Sequence, residues 1–564
     1  MVAQPAPGAT VGKRPVADKF PFYAVRWVPA AAEKRGSEER KACLIDVGTE
    51  LPAGSLDAAL AAVQSGATIV AMCPPTSGVL SGQALDAEVS PCWRFVQLVQ
   101  HLLEAGASGR LLLVCATAAA GAMVAGASKA VAMEAGELQI QRVFVPPACL
   151  GPDRSQLVPT LCAIAAQHPA ESDLWLKDCV EGAPAYAQRL EPMLEPSAKL
   201  PCVPRNCPDG ELATYVLTGA TGGLGSAVVE WLIRDQHLDP EQLVLLRRAG
   251  SRPLTGEMAK CRIVEVSNVE NETELMASSL QKLQGVAGVF HLAGVLDDGI
   301  IQGMTEERLR KVAQPKCGML VALLRTAEAL KWPLRWVLGF SSTSSLFGYA
   351  GQSNYCAANA MLDQMATFGA EAQLPAGDRP PCRFIAVNWG PWGEAGMAKV
   401  GTKAYEQAVK EGDTPLPTKT ALRCLAAALR TATQLQPPAV QFCACDVDWQ
   451  RSQWADLPIL DLVTDRKAKE LASGVVQPFD KAPAVGENVI EEFIVQNTKG
   501  GSWKRIQGKT FNQLGLDSLE VVQVRNSFNK AFGVNAQLSV FADTSKKVSD
   551  VAVALARLAG VSGK

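Results

Sequence analysis

The chain has 564 residues, of which 48% are hydrophobic and 20% charged, and its formal net charge is −2. That length predicts about three or four domains, and the balance is that of a globular chain with sizeable cores. With near-neutral charge and no polybasic tract, the sequence excludes a nucleic-acid footprint and an electrostatic hold on anionic lipid.

The 16 cysteines are scattered, and the nearest pairs, Cys202/Cys207 and Cys443/Cys445, do not match a zinc pattern. No metal site is expected. No secretory signal opens the sequence, which predicts reduced thiols and a soluble, intracellular, cytoplasmic setting. Leu111 to Ser128 is uncharged and approaches the length of a membrane span. Its composition, an apolar run followed by Ala, Gly, Ser and Thr, predicts instead a buried strand and a small-residue helix.

Residues 1–20, rich in Pro, Gly and Ala, read as a leader or linker. Residues 21–204 alternate strand-like runs (ACLIDVG, ATIVAMC, LLLVCAT, QRVFVPP) with Ala-rich helical stretches. That is an α/β pattern with a largely parallel sheet and no Gly-rich turn after any strand. Residues 205–465 repeat the pattern with TYVLTGA, QLVLLRR, CRIVEVS, GVFHLAG, RWVLGFSS and RFIAVNW, spaced as in a doubly wound sheet. The expectation is two Rossmann-like subdomains. Residues 466–486 mix charge with Ala, Gly and Pro and predict a linker. Residues 487–564 carry helical apolar spacing in GENVIEEFIVQ, SLEVVQVRNSFNKAF and VSDVAVALARL, which predicts a small all-α bundle.

Only the second α/β unit has a phosphate loop. The strand at Tyr215–Leu217 runs into Thr218-Gly219-Ala220-Thr221-Gly222-Gly223-Leu224-Gly225 and then an apolar helix. Strand, glycine turn and helix in that order let backbone approach a pyrophosphate at the helix N-terminus. The next strand ends in Arg247-Arg248, where arginine favours the 2′-phosphate of NADP over the ribose hydroxyl of NAD.

These landmarks resemble the short-chain dehydrogenase/reductase family, with Glu265-Val266 at the family's adenine-contacting strand end and Ala293-Gly294 in its fourth-strand motif. The resemblance implies cofactor contacts from Thr218, Gly219, Gly223, Leu224, Gly225, Arg247, Arg248, Glu265, Val266, Ala293 and Gly294. Ser342 and Tyr355 stand at the family's serine–tyrosine spacing. Carbonyl reduction needs a proton donor, and a tyrosine serves when nearby positive charge lowers its pKa. A serine hydroxyl can hold the carbonyl oxygen. The family's lysine position, four residues beyond the tyrosine, holds Asn359. Ketoreductases of modular polyketide synthases are similar to this sequence and exchange that lysine and asparagine. Their lysine lies on an earlier helix, in a context resembled by Gln314-Pro315-Lys316-Cys317-Gly318. The resemblance implies Tyr355 as acid, Ser342 as oxyanion partner, Lys316 as electrostatic activator and Asn359 as orienter or relay.

It also covers Tyr23-Ala24-Val25-Arg26-Trp27, similar to the first strand of a cofactor-free structural subdomain, and Asn388-Trp389-Gly390-Pro391-Trp392, similar to the approach to a substrate lid. Leu296-Asp297-Asp298 resembles the fingerprint of B-type enzymes, which make a D-configured β-hydroxyl, with Asp298 in stereocontrol. Phe347 stands where A-type enzymes have tryptophan. Leu514-Gly515-Leu516-Asp517-Ser518-Leu519 opens an amphipathic helix and resembles the 4′-phosphopantetheine site of acyl carrier domains, with attachment at Ser518. A helix N-terminus suits a phosphodiester; the alternative is that Ser518 only caps the helix.

The function so implied is NADPH-dependent reduction of a carrier-bound β-ketoacyl thioester. Its partners would be ketosynthase and acyltransferase domains and a phosphopantetheinyl transferase, with no nucleic acid and no membrane. The alternatives are a redox-inactive ketoreductase-fold scaffold with a carrier, and a stand-alone short-chain reductase with a helical assembly domain.

Overall fold

The computed structural model of the protein describes residues 20–32, 41–73, 84–117, 121–151, 154–180, 182–195, 201–207, 210–251, 254–266, 279–283, 285–368, 382–396, 399–434, 440–449, 451–464, 487–498, 501–532, 534, 536–542 and 545–559. The expected leader, except its last residue, and the expected linker lie outside them.

The apolar runs form strands. In the first half these are β1 (Phe22–Pro29), β2 (Ala42–Asp46), β3 (Thr68–Cys73), β4 (Gly109–Ala116), β5 (Leu138–Val145), β6 (Asp173–Leu176) and β7 (Ala185–Pro192). In the second they are β8 (Thr214–Thr218), β9 (Leu243–Arg248), β10 (Arg262–Val266), β11 (Val286–His291), β12 (Trp336–Ser342), β13 (Arg383–Trp389), β14 (Asp413–Thr414), β15 (Val440–Ala444) and β16 (Asp446–Val447). The helices are α1 (Ala53–Gln64), α2 (Ala84–Glu104), α3 (Ala122–Glu134), α4 (Val158–Gln167), α5 (Gly223–Arg234), α6 (Glu306–Ala313), α7 (Met319–Ala329), α8 (Thr343–Phe347), α9 (Ser353–Phe368), α10 (Lys403–Lys410) and α11 (Thr418–Gln434). The C-terminal bundle adds α12 (Glu487–Asn497), α13 (Trp503–Ile506), α14 (Ser518–Phe532), α15 (Leu538–Ala542) and α16 (Val548–Leu558) around its own core.

The two expected α/β units share one sheet of 14 strands, ordered β10-β9-β8-β11-β12-β13-β15-β1-β7-β6-β5-β4-β3-β2. The seam is β1, antiparallel to both neighbours: Tyr23 pairs with Cys443 on one side and Pro192 on the other. In the second half β8 to β13 and β15 pair in parallel throughout. The chain steps outward from β8 to β9 and β10, then returns to β11 on the other side. Such a reversal opens a crevice at the C-terminal ends of β8 and β11. In the first half β2 to β7 follow one another across the sheet without reversal, which agrees with the lack of a glycine turn there.

One face of the sheet carries a continuous core that draws side chains from α1, α2 and α3 in one half and α6, α7 and α9 in the other. α3 is buried along nearly its whole length. It packs on α9 so closely that a Cβ on Gly126 would lie 2.4 Å from the Cys356 carbonyl oxygen. The uncharged run from Leu111 is therefore β4 followed by a central helix, and among the described residues no helix is long and apolar enough to cross a membrane. Lys129 of α3 donates to the Leu346 carbonyl at 3.2 Å and pairs with Asp173 at 3.6 Å, while Arg142 grips Asp173 at 2.8 and 3.1 Å. Burial alone would raise the Asp173 carboxyl; Arg142 and Lys129 overturn that and hold it well below its usual range.

Because the α3–α9 contact leaves no room for a side chain at position 126, Gly126→Val is expected to destabilise the α/β body by about 2 kcal/mol or more. Urea unfolding of wild type and variant measures it.

Candidate active site

The crevice position is occupied by the glycine turn. Gly219 has φ +67°, and a Cβ there would stand 2.7 Å from the Ala293 backbone nitrogen. A Cβ on Gly223 would meet the Gly396 nitrogen at 2.6 Å, and one on Gly225 the Gly219 oxygen at 2.4 Å. Only glycine fits this turn. Thr218 is buried beneath it, and its hydroxyl oxygen accepts from the Ala293 N–H at 3.2 Å. Nε2 of His291 lies 2.7 Å from the Lys316 carbonyl, which can only accept, so Nε2 carries the proton. Nδ1 then accepts from the Thr218 hydroxyl at 2.8 Å. Burial first, and the Lys316 charge second, lower the His291 pKa to about 3, so the ring is a neutral brace between β8, β11 and the lysine turn.

A cleft of about 1100 Å³ opens above the turn. Gly219, Gly223, Leu224, Gly225, Arg247, Arg248, Val266, Ala293 and Gly294 all line it. Glu265 does not. It stands across β9–β10 from Arg247 and accepts from that guanidinium at 2.5 and 3.1 Å. Arg247 is thus engaged in an ion pair, and Arg248 is exposed on the cleft wall.

Lys316 lies in a single wide π turn, Gln314–Gly318, between α6 and α7, the kind of bulge that re-aims a side chain at functional sites. It is 3% exposed. Its stem fills the space a Cβ on Gly294 would need, 2.9 Å from Cε. Nζ donates to the Phe340 carbonyl at 2.8 Å and lies 5.4 Å from the centre of the Tyr355 ring. Burial lowers its pKa to about 8. Tyr355 is half-buried on the first turn of α9, and burial pushes its phenol up to about 12. The Asn359 carboxamide pulls the other way, and Asp298 adds to the rise. The expected lowering does not prevail, because burial is the larger effect. Asn359 is fully buried; its amide donates to the Tyr355 carbonyl at 2.9 Å, and its Oδ1 has no hydrogen-bond partner.

Ser342 ends β12 and caps α8, its Oγ accepting from the Ser344 N–H at 3.2 Å and the Ser344 hydroxyl at 3.0 Å. Its backbone is fixed from below by residues to which sequence reasoning assigned no such part. Asn388 donates to the Ser342 carbonyl at 3.1 Å and to Asp363 at 2.9 Å, and Ser345 donates to Asp363 at 2.5 Å. Burial raises the Asp363 carboxyl, against those hydrogen bonds. A lone acid on the buried face of α9 was the signal that could have found this network.

At the rim, Asp298 is exposed and accepts from the Gln352 amide at 3.0 Å. Phe347 is buried against Trp449 and Trp454, with ring centres 5.7 and 5.0 Å away.

In the C-terminal bundle Asp517, not Ser518, caps α14. Asp517 Oδ1 accepts from the Glu520 N–H at 2.8 Å and Glu520 returns a bond to the Asp517 N–H at 2.9 Å, a capping box. Ser518 is left as the first helical residue, exposed.

Residues 213–394 match the KR domain family, and residues 507–555 match the phosphopantetheine attachment site family. Polyketide synthase GfsB of Streptomyces halstedii is 31% identical over 366 residues, covering 57% of this chain and 6% of its own. Pikromycin polyketide synthase component PikAII of Streptomyces venezuelae is 27% identical over 373 residues, 58% of this chain and 9% of its own. The chain spans between 5% and 18% of the length of the curated relatives it matches. Among solved structures, an A1-type ketoreductase superposes with a TM-score of 0.61 at 19% identity over 80% of this chain and 98% of that one. The first ketoreductase of the tylosin polyketide synthase gives 0.57 at 19%, with the same coverage. At those identities the likeness is one of fold.

Fold and cleft thus define the class: a KR domain of Rossmann-like build, followed by a helical carrier domain. More particularly, the two family matches in this order, with polyketide synthases as the relatives that share them, support a ketoreductase–carrier didomain of the modular polyketide synthase type.

Proposed function

We propose that the chain reduces the β-keto group of an acyl thioester to a β-hydroxyl with NADPH, the acyl chain riding on a 4′-phosphopantetheine arm at Ser518. The observation that carries this reading is Lys316, which reaches from Gly294 at the cleft wall to the ring of Tyr355. The residues present fit a dinucleotide. Three glycines whose side-chain space is taken by backbone form the turn at the N-terminus of α5, where N–H groups and the helix dipole favour pyrophosphate. Arg248 is the partner for a 2′-phosphate, with Arg247 held beside it by Glu265. A bound nicotinamide would supply a hydride, one proton with two electrons, for the carbonyl carbon.

The protein supplies the proton for the oxygen. Ser342 holds the carbonyl oxygen. Tyr355 stays protonated across the neutral range, because burial raises its pKa, and donates its proton as the alkoxide forms. The Lys316 ammonium stabilises the phenolate left behind. Asn359, whose Oδ1 has no partner, offers the acceptor of a relay that restores the proton. The Leu296-Asp297-Asp298 motif, with Asp298 bridged to Gln352 at the rim, supports a B-type, D-configured product.

The subdomain boundary near 205 and a carrier beginning at 487 belong to the same proposal. So do cooperation with ketosynthase and acyltransferase domains, arming by a phosphopantetheinyl transferase, and a cytoplasmic setting.

Incubated with NADPH and a β-ketoacyl thioester, the purified chain is expected to consume NADPH. Tyr355→Phe, folded by circular dichroism, is expected to be slower by about 100-fold or more. A flat trace from folded wild type overturns the reading. The Lys316 ammonium predominates below its pKa of about 8 and is lost above it. Turnover is therefore expected to fall as pH rises through about 8, read from a kcat–pH profile. Co-expression with a phosphopantetheinyl transferase should add the mass of one arm to the wild type and none to Ser518→Ala. An unmodified wild type under active transferase removes the carrier role.

A further inference from the structure

The carrier domain does not hang free of the reductase. Val522, Leu538 and Leu519 pack against Ala350, Met133 and Ile300, forming an apolar patch separate from both domain cores. A Cβ on Gly351, which has φ +81°, would lie 2.8 Å from a methyl carbon of Leu519. Beside the patch Arg525 is 1% exposed. Its guanidinium donates to the Met133 carbonyl at 3.4 Å and to the Glu134 carbonyl, and lies 3.7 Å from a Glu137 carboxylate oxygen. Asn526 donates to the Met133 carbonyl at 3.1 Å. Met133 and Glu134 are the last residues of α3, whose terminal carbonyls lack intrahelical partners and carry the negative end of the helix dipole. A buried guanidinium needs such partners.

The same helix end holds the active-site rim. The Glu134 carboxylate accepts from the Ile301 N–H at 2.6 Å and the Gly351 N–H at 2.8 Å. Gly299 donates to the Gly351 carbonyl at 2.7 Å. These two loops carry Asp298 and Gln352, and Tyr355 follows on α9. Ser518, exposed and adjacent to Leu519, is therefore brought to that rim.

We propose that the C-terminal end of α3 together with the Gly351 turn is the docking surface for this chain's own carrier domain, with Arg525 as its anchor and the arm delivered past Asp298 and Gln352. The inference rests on the proposed function and names the partner surface of that same site. It requires that reduction of a chain on Ser518 depend on Arg525, whereas reduction of a diffusible substrate does not.

The test uses the full chain. Wild type, Arg525→Glu and the charge-swapped pair Arg525→Glu with Glu137→Arg are loaded at Ser518 with a β-ketoacyl arm, loading being checked by intact mass. Single-turnover reduction is followed by NADPH absorbance, with a β-ketoacyl thioester lacking the carrier measured alongside. Arg525→Glu is expected to slow the tethered reaction by about tenfold or more, to leave the diffusible reaction unchanged, and to regain tethered rate in the swapped pair. Small-angle scattering supplies a readout independent of chemistry: Arg525→Glu is expected to raise the radius of gyration as the carrier detaches. Tethered reduction at wild-type rate, or unchanged scattering, in Arg525→Glu overturns the docking surface. No reduction of either substrate by wild type, with scattering that does respond, instead removes the proposed function and leaves the docking contact standing.

Discussion

The close approach of α3 to α9 is the contact on which the rest of the molecule depends. Two helices meet at backbone distance only where their facing residues are small, and here Gly126 faces Cys356 and Ala360. That proximity buries α3 along nearly its whole length and ties the first half of the sheet to the second. Lys129, part-way along α3, reaches Leu346 next to the Ser342 helix, and Glu134 at its end clamps the loops of the rim. Tyr355 sits on the α9 side of the same contact. The first half thus works as a brace: through α3 it sets where α9 stands.

The second constraint is backbone room at the switch point. Between β8 and β11 the sheet order reverses, and the turn leaving β8 passes within contact of the segment leaving β11. Glycine at 219 permits that passage, and the Thr218–His291–Lys316 carbonyl chain locks it. A neutral imidazole is the right part for this position. A protonated ring would stand beside the Lys316 ammonium in a buried site that screens the repulsion poorly.

Much of this was legible from sequence because it is local. The ten apolar runs marked strands, and the glycine turn announced itself by its order with strand and helix. The capping box of Asp517 and Glu520 is local too, but the sequence analysis places the candidate cap one residue later, at Ser518, which the box frees from that role. What escaped is register and long-range pairing. The dual antiparallel pairing of β1 that fuses two expected units into one sheet has no local mark, since either edge of FYAVRWVP could have faced solvent. Arg247 was read with Arg248 as a phosphate partner, but Glu265 stands directly opposite it on β10, a fact fixed only by the β9–β10 register. β6 and β7 are short or mixed in polarity and passed unmarked. The Tyr355 phenol was expected to be lowered by charge. Burial outweighs the Asn359 carboxamide and raises it instead.

The exchange of lysine and asparagine follows from the same burial. Position 359 is fully enclosed, and its backbone carbonyl already accepts from Ser341. An ammonium there would be desolvated with few partners, a costly arrangement. A carboxamide is tolerated, since its amide bonds back to the Tyr355 carbonyl and only one oxygen is left unpaired. The charge arrives instead from the π turn at 314–318, a wider loop that brings Lys316 to the Phe340 carbonyl and beside the Tyr355 ring. Its pKa is lowered by this burial without being carried below neutrality, so the ammonium persists at neutral pH while remaining only weakly solvated. A poorly solvated cation responds strongly to negative charge developing nearby, and the tyrosine oxygen is where the proposed reaction develops it. Asn359 is thus the neutral half of an arrangement whose positive charge comes from the 314–318 turn.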